Sequence, residues 1–281
     1  MKHLDLFTGI GGFKLAAEWS GFETIGFAEV AEYPSAELAR LWPDIPNFGD
    51  VSLICPDEQE ACDKQATYIS ASDIVGKHGD IDLLTAGVPC QPASHAGLQL
   101  GSADERWLWP HVLRILGVLR PPFAIFENPP GIKTVENGHA FKHIQNQLAQ
   151  FGYDYWWETV PATAVGAGHV RKRVFLIAYS HSARLERYPE HVIPEKGWAE
   201  SRRPSPSAYI PSRKTSNGET WYHESPVPIV VDGISPHSLK AEFTAIGNSI
   251  VPQVAYCFIQ PIADLIQFNK EHDNDNSTKE G

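Results

Sequence analysis

Four short apolar runs, each closed by a polar or glycine-rich turn, predict buried parallel strands: His3–Phe7, Thr24–Glu29, Ile81–Ala86 and Phe123–Glu127. Helical spacing follows three of them, at Phe13–Trp19, Ala31–Leu41 and Trp109–Leu119. A fifth strand, Arg173–Tyr179, comes after a loop at Pro161–Val170. Strand alternating with helix predicts a doubly wound α/β sheet with helices on both faces. Its sites then lie at the strands' carboxyl ends.

The pattern breaks after Tyr179. Ser182–Pro228 is rich in Pro, Ser, Arg and Glu, with scattered aromatics and no clean period, which predicts a small irregular lobe or a long insertion. Regular spacing returns near Leu239. Val251–Phe268 reads as a helix with Pro252 in its first turn, and Asn269–Gly281 as a disordered polar tail. These breaks divide the chain into 1–180, a lobe at 181–235, a returning segment at 236–268 and a tail at 269–281.

The net charge of −11 argues against a nucleic-acid partner when taken whole. Its distribution reverses that argument. Gly168–Lys214 holds ten Lys/Arg against four Asp/Glu, so a basic surface can sit on an acidic body. The cysteines, Cys55, Cys62, Cys90 and Cys257, form no CxxC pair, which removes zinc-ribbon spacing and fits free thiols in an intracellular protein. With no signal-peptide run and no stretch of ~20 apolar residues, a cytoplasmic location is expected.

Chemistry gathers at the strand ends. Asp5–Phe13 runs from a strand through Gly9, Gly11 and Gly12 into a helix, where small residues and free N–H groups admit a ligand; a plain structural turn has the same form. Lys14 stands where the dinucleotide fingerprint needs its last glycine. Glu29 ends the second strand and can accept from ribose hydroxyls, and Asp50 can accept from an adenine amino group; either can equally be a solvated acid. Cys90 follows the third strand between Pro89 and Pro92, held at the crevice or simply buried. Glu127 ends the fourth strand beside that loop. Arg171 and Arg173, two apart on an extended chain, point the same way.

In this order the motifs resemble the cytosine-5 DNA methyltransferase family. The likeness runs from Leu4 to about Ile262, apart from the Ser182–Pro228 lobe. It is carried by Asp5–Gly12, Glu29, Gly49-Asp50-Val51, Pro89-Cys90-Gln91, Asp104-Glu105-Arg106 with Leu108, Glu127-Asn128, Arg171-x-Arg173 and Gly247–Pro252. Pro129 replaces the family's valine and His169 its glutamine. The long segment before Gly247 is reduced to Val230–Ala245, as in a compact phage-like form.

The resemblance implies a Rossmann-like S-adenosylmethionine-dependent methyltransferase sheet with a target-recognition lobe. It implies Cys90 as nucleophile, with Glu127, Arg171 and Arg173 completing the catalytic set. S-adenosyl-L-methionine, leaving as S-adenosyl-L-homocysteine, would meet Phe7, Gly9, Ile10, Gly11, Gly12, Glu29, Val30, Asp50, Val51, Pro89, Leu108, Asn248 and Ser249. The expected partner is double-stranded DNA, bound by a monomer that needs neither metal nor membrane, in the manner of a restriction–modification methylase. A transfer-RNA cytosine methyltransferase shares the catalytic set but normally lacks the separate lobe. A non-catalytic homologue would have lost Cys90 or Glu127.

Overall fold

The computed structural model describes residues 1–55, 69–89, 107–167, 170–183, 213–214, 220–221, 244–245 and 248–277. Six strands form the main sheet: β1 (Lys2–Leu6), β2 (Glu23–Ala28), β5 (Leu83–Gly87), β6 (Phe123–Asn128), β7 (Tyr153–Pro161) and β8 (Lys172–Ser180). Their spatial order is β2-β1-β5-β6-β8-β7. The first four run parallel, while β8 is antiparallel to both β6 and β7. Two-residue strands pair outside this sheet, β3 (Ile54–Cys55) with β4 (Ile69–Ser70) and β9 (Arg213–Lys214) with β10 (Thr220–Trp221).

The strands are apolar on both faces because both are covered. One face packs on α3 (Ala71–His78), α4 (Trp109–Leu119) and α5 (His139–Gln150), with Leu84, Ala124 and Phe126 of the sheet meeting Ile74, Leu116 and Ile144. The other packs on α1 (Gly12–Trp19) and α6 (Pro252–Ser277), where Phe175 stacks on Phe258 at 4.9 Å and meets Phe13 edge-on at 6.4 Å. One further helix, α2 (Glu32–Leu41), buries Leu38.

The five strands and four helices read from the hydrophobic pattern are present, most with ends within one or two residues. Three differences matter. Helices α3 and α5 and strand β7 had no counterpart in that reading, and Pro161 closes β7 rather than opening a loop. The last helix continues through Asn269–Ser277, where a disordered tail was expected. Its packed turns are already formed, so adding helix-tolerant residues such as Lys270 and Glu271 costs little.

Candidate active site

The parallel strands deliver their C-terminal ends to one rim. Antiparallel β8 brings its first residues to the same rim, so the order across it is Glu29 after β2, the glycine loop after β1, Pro89 after β5, Glu127 at the end of β6, and Arg173 at the start of β8.

At the β1 end, Phe7 adopts φ +51, a left-handed conformation that costs a residue with a Cβ about 1 kcal/mol or more. The turn is fastened on both sides. Thr8 Oγ1 donates to Asp5 O at 2.9 Å, Gly11 N to Thr8 O at 3.0 Å, and Gly9 N to Glu29 Oε2 at 2.8 Å. Glu29 Oε1 accepts from Ala31 N at 2.8 Å. An added Cβ on Gly9, at φ +57, would meet nothing within 4 Å, so the loop is open there. Gly12 is the opposite case: its Cβ would lie 2.5 Å from Ile250 O.

Of the residues expected around a cofactor, Gly9, Glu29 and Val30 share this corner, and Val30 is 73% exposed. Ile10 and Val51 turn their side chains inward. Asp50 is exposed and caps a short turn at Val51–Leu53, its Oδ1 accepting from Ser52 N at 2.8 Å. Exposed Asn248 and half-buried Ser249 precede Ile250. That isoleucine touches both Gly12 and Gly87, so the returning segment sits between the glycine loop and the end of β5. Pro89 and Leu108 are half-buried, and Leu108 directly precedes α4.

Across β5 and β6, Gly87 is the register partner of Glu127. Buried Asn128 donates from Nδ2 to Val88 O at 2.7 Å, tying the end of β6 to the residue two positions before Cys90. Cys90 itself lies outside the described residues, as do Gln91, Arg106, His169, Gly247 and most of the 181–235 lobe. Glu127 is 5% exposed, and its Oε1 is 2.7 Å from Arg173 Nε. The contact is an ion pair, because the N–H is not aimed well enough to make a hydrogen bond. Burial pushes the Glu127 carboxyl up to about 6, against the pull of Arg173 and then Arg171. Both arginines expected at this site therefore bear on the same carboxyl.

Three residues with a part in this region were not singled out by their sequence positions. Trp42 covers Gly11 and lies 4.6 Å from Lys14 Nζ. Ile250 wedges between the glycine loop and the end of β5. Arg114 reaches from α4 to the segment after Asp50. Each contact joins distant parts of the chain, and no local spacing announces it.

The model of C-5 cytosine-specific DNA methylases matches residues 1–226. The chain belongs to this family. Among relatives of this family member, the type II methyltransferase M.HaeII of Haemophilus aegyptius is 31% identical over 66% of the chain and 52% of its own length. A solved DNA modification methyltransferase encoded within an E. coli prophage is 26% identical, with a TM-score of 0.52 over 68% of this chain and 50% of that one. The methyltransferase EhMeth of Entamoeba histolytica shares the fold at 17% identity, with a TM-score of 0.60 over 94% of this chain and 98% of its own. The chain spans about half the length of the curated relatives it matches. Among the described residues of this family member, no cluster of ligating side chains is arranged to hold a metal. No described helix is long and apolar enough to cross a membrane.

Proposed function

We propose that this chain transfers a methyl group from S-adenosylmethionine to carbon 5 of a cytosine flipped out of double-stranded DNA. The observation that supports it most is the Glu127–Arg173 pair: a buried carboxyl held near neutrality, beside the residues that lead into Cys90 and on the same rim as the glycine loop.

The residues of the β1–β2 corner fit the cofactor. Gly9 opens onto free space, the Glu29 carboxylate lies against it, and Val30 offers an exposed apolar side chain that a nucleoside base can cover. Gly9 would admit the amino-acid end, with Gly11 and Gly12 shaping the turn behind it, Glu29 would meet the ribose, and Asp50 the adenine amino group. When bound, the cofactor supplies an electrophilic sulfonium methyl.

The chain's own residues prepare the base. The Cys90 thiolate adds to ring carbon 6, so a C–S bond forms and the carbon 5–carbon 6 double bond opens, making carbon 5 nucleophilic. Glu127, titrating near 6, holds the proton that ring nitrogen 3 gains as charge builds there. Arg173, with Arg171 beside it, holds the ring carbonyl and the flanking phosphate. Loss of the carbon 5 proton to a base then re-forms the double bond and expels Cys90. A flipped base costs a few kcal/mol to extract. The basic 168–214 stretch would offset this through phosphate contacts, and the 181–235 lobe would choose the site.

The test is transfer of a labelled methyl group to duplex DNA and, separately, to transfer RNA. Methylated duplex, with covalent trapping on 5-fluorocytosine DNA and loss of both in Cys90→Ser, is expected. Label on transfer RNA alone would replace the DNA reading. A Ser variant with near-normal turnover would remove Cys90 as nucleophile.

A further inference from the structure

We propose that Arg114 is a positioning residue for the cofactor, holding the segment after Asp50 so that the Asp50 carboxylate faces the nucleoside. The inference rests on the cofactor reading above and names a residue that reading does not use.

Arg114 stands on α4, far in sequence from the segment it holds. Its Nη2 donates to Ser52 O at 3.0 Å and to Ile54 O at 2.9 Å. Ser52 is therefore held on both sides, its N–H by Asp50 Oδ1 at 2.8 Å and its carbonyl by Arg114. The two carbonyls bracket the end of the Val51–Leu53 turn that Asp50 caps. A planar guanidinium bridging carbonyls two residues apart fixes the direction in which the turn leaves Asp50. Val51 anchors the turn from below, at 3% exposure. Asp50 Oδ1 is committed to the cap, which leaves Oδ2 on an exposed residue to meet a ligand.

Nothing in this arrangement looks like ordinary fold stabilisation by charge. Arg114 forms no salt bridge with a described residue, and its Nε is buried without a hydrogen-bond partner. Its charge is half-buried against neutral carbonyls, and that burial lowers the guanidinium pKa by desolvation. Both bonds leave one nitrogen, so the bridge depends on the reach and plane of the guanidinium rather than on its charge alone.

The experiment measures S-adenosylhomocysteine binding by calorimetry to the full chain, as wild type, Asp50→Ala, Arg114→Met, Arg114→Lys and the Asp50→Ala/Arg114→Met double variant. Hydrogen exchange at residues 50–54 is followed without ligand. Arg114→Met should weaken binding about tenfold or more, Arg114→Lys should weaken it less, and the double variant should be no weaker than the poorer single one. Exchange at Ser52 should quicken in both Arg114 variants while the sheet amides stay protected. At saturating cofactor, kcat should change less than about twofold while KM for the cofactor rises. The Lys variant, which keeps charge and most of the packing, carries the test if the Met variant does not fold. Wild-type affinity in both Arg114 variants, or additive losses in the double variant, would overturn the inference. So would unchanged affinity in Asp50→Ala, which leaves the methyl-transfer reading standing. Failure of the wild type to bind overturns both.

Discussion

Arg173 Nε lies 2.7 Å from Glu127 Oε1, although the β6–β8 register places Phe175 opposite Glu127. The arginine reaches the carboxyl diagonally, on the same face of the ladder and two residues nearer the rim. It opposes a burial that already pushes Glu127 up to about 6. Arg173→Gln should therefore raise the Glu127 carboxyl further. A carboxyl raised on folding keeps its proton while the unfolded chain loses it, so stability falls as pH rises from the ordinary Glu range through the folded value. The Glu127 share of that fall should end near pH 6 in wild type and continue to higher pH in Arg173→Gln, on top of any slope the two proteins have in common. Removing one partner of a buried pair costs about 3–5 kcal/mol at most, and protonation of Glu127 limits the loss at low pH. Urea midpoints from pH 4.5 to 8 check this. Parallel curves for the two proteins would show that the pair does not govern Glu127.

A second carboxyl, unused by the chemistry, sits below the glycine loop. Asp5 Oδ1 accepts from Thr85 Oγ1 at 2.7 Å, and Thr85 Oγ1 is 2.7 Å from His3 Nε2. His3 Nδ1 is 2.9 Å from Thr24 Oγ1. With the Thr85 hydroxyl proton directed to Asp5, His3 donates to Thr85 from Nε2, and a neutral ring then accepts at Nδ1 from the Thr24 hydroxyl. Burial agrees: it lowers His3 to about 3, with Lys14 adding to the effect, and raises Asp5 to about 8 despite the Thr85 bond. The two groups drive stability in opposite directions. Neutral His3 makes stability rise with pH up to the unfolded histidine value near 6.5; protonated Asp5 makes it fall with pH between about 4 and 8. They offset one another until pH 6.5, above which Asp5 acts alone. Stability should drop by about 2 kcal/mol between pH 6.5 and 8, at 1.36 kcal/mol per unit. Asp5→Asn should remove that slope, as read by thermal or urea unfolding. A wild-type curve that stays flat across this interval, or an Asn variant that keeps the slope, would count against a protonated Asp5.

These two networks show what a chain can and cannot announce. The strands were legible because a buried parallel strand is a short apolar run with a turn after it, and the rim acids because they end such runs. Strand β7 was not, because it is an edge: Asp154, Tyr155 and Trp157 are exposed, so Tyr153–Pro161 has neither an apolar run nor a clean alternation. Helix α5 did carry a signal, since Ala140, Phe141, Ile144 and Leu148 fall on one face among His, Gln and Asn. The paired arginines pointed to Glu127 only once β8 proved antiparallel. Arg114, Trp42 and the Ile250 wedge depend on contacts between distant segments, which spacing along the chain does not encode.

The glycine loop separates two kinds of glycine. A Cβ on Gly12 would strike the backbone oxygen of Ile250, and backbone cannot swing away as a side-chain tip can. Gly12→Ala should cost about 1–3 kcal/mol by overpacking and loosen the returning segment from α1. Gly9→Ala meets no atom and carries only the strain of its φ of +57, about 1 kcal/mol. Its methyl would instead occupy the open side of the loop. Thermal unfolding should rank Gly12→Ala as the less stable variant, while S-adenosylhomocysteine titration should rank Gly9→Ala as the weaker binder. The reverse ranking in both measurements would place the open side of the loop elsewhere.

Glu29 fastens the glycine loop and, in the proposed cofactor reading, also meets the ribose; substitution can part the two tasks. Its two oxygens accept backbone N–H groups from Gly9 and Ala31, each at 2.8 Å, so the residue shapes the loop before any ligand arrives. A carboxylate oxygen has a second lone pair, and the same side chain can still accept from ribose hydroxyls. Glu29→Ala removes both tasks and should weaken S-adenosylhomocysteine binding by about 1.5–3 kcal/mol, the range for hydrogen bonds to charged groups. Glu29→Gln is the sharper probe. Its amide has one acceptor oxygen, so its NH2 must face either the Gly9 or the Ala31 N–H. Donor against donor should displace the loop, and the Gln variant should bind no better than Ala despite its nearly identical shape. Amide exchange at Gly9 and Ala31 should quicken in both variants without ligand. Calorimetry reads the ligand contact and exchange reads the fastening, so the two tasks separate. Faster exchange with unchanged affinity would leave Glu29 as a loop fastener alone. Slow exchange with lost affinity would leave it as a ligand contact alone.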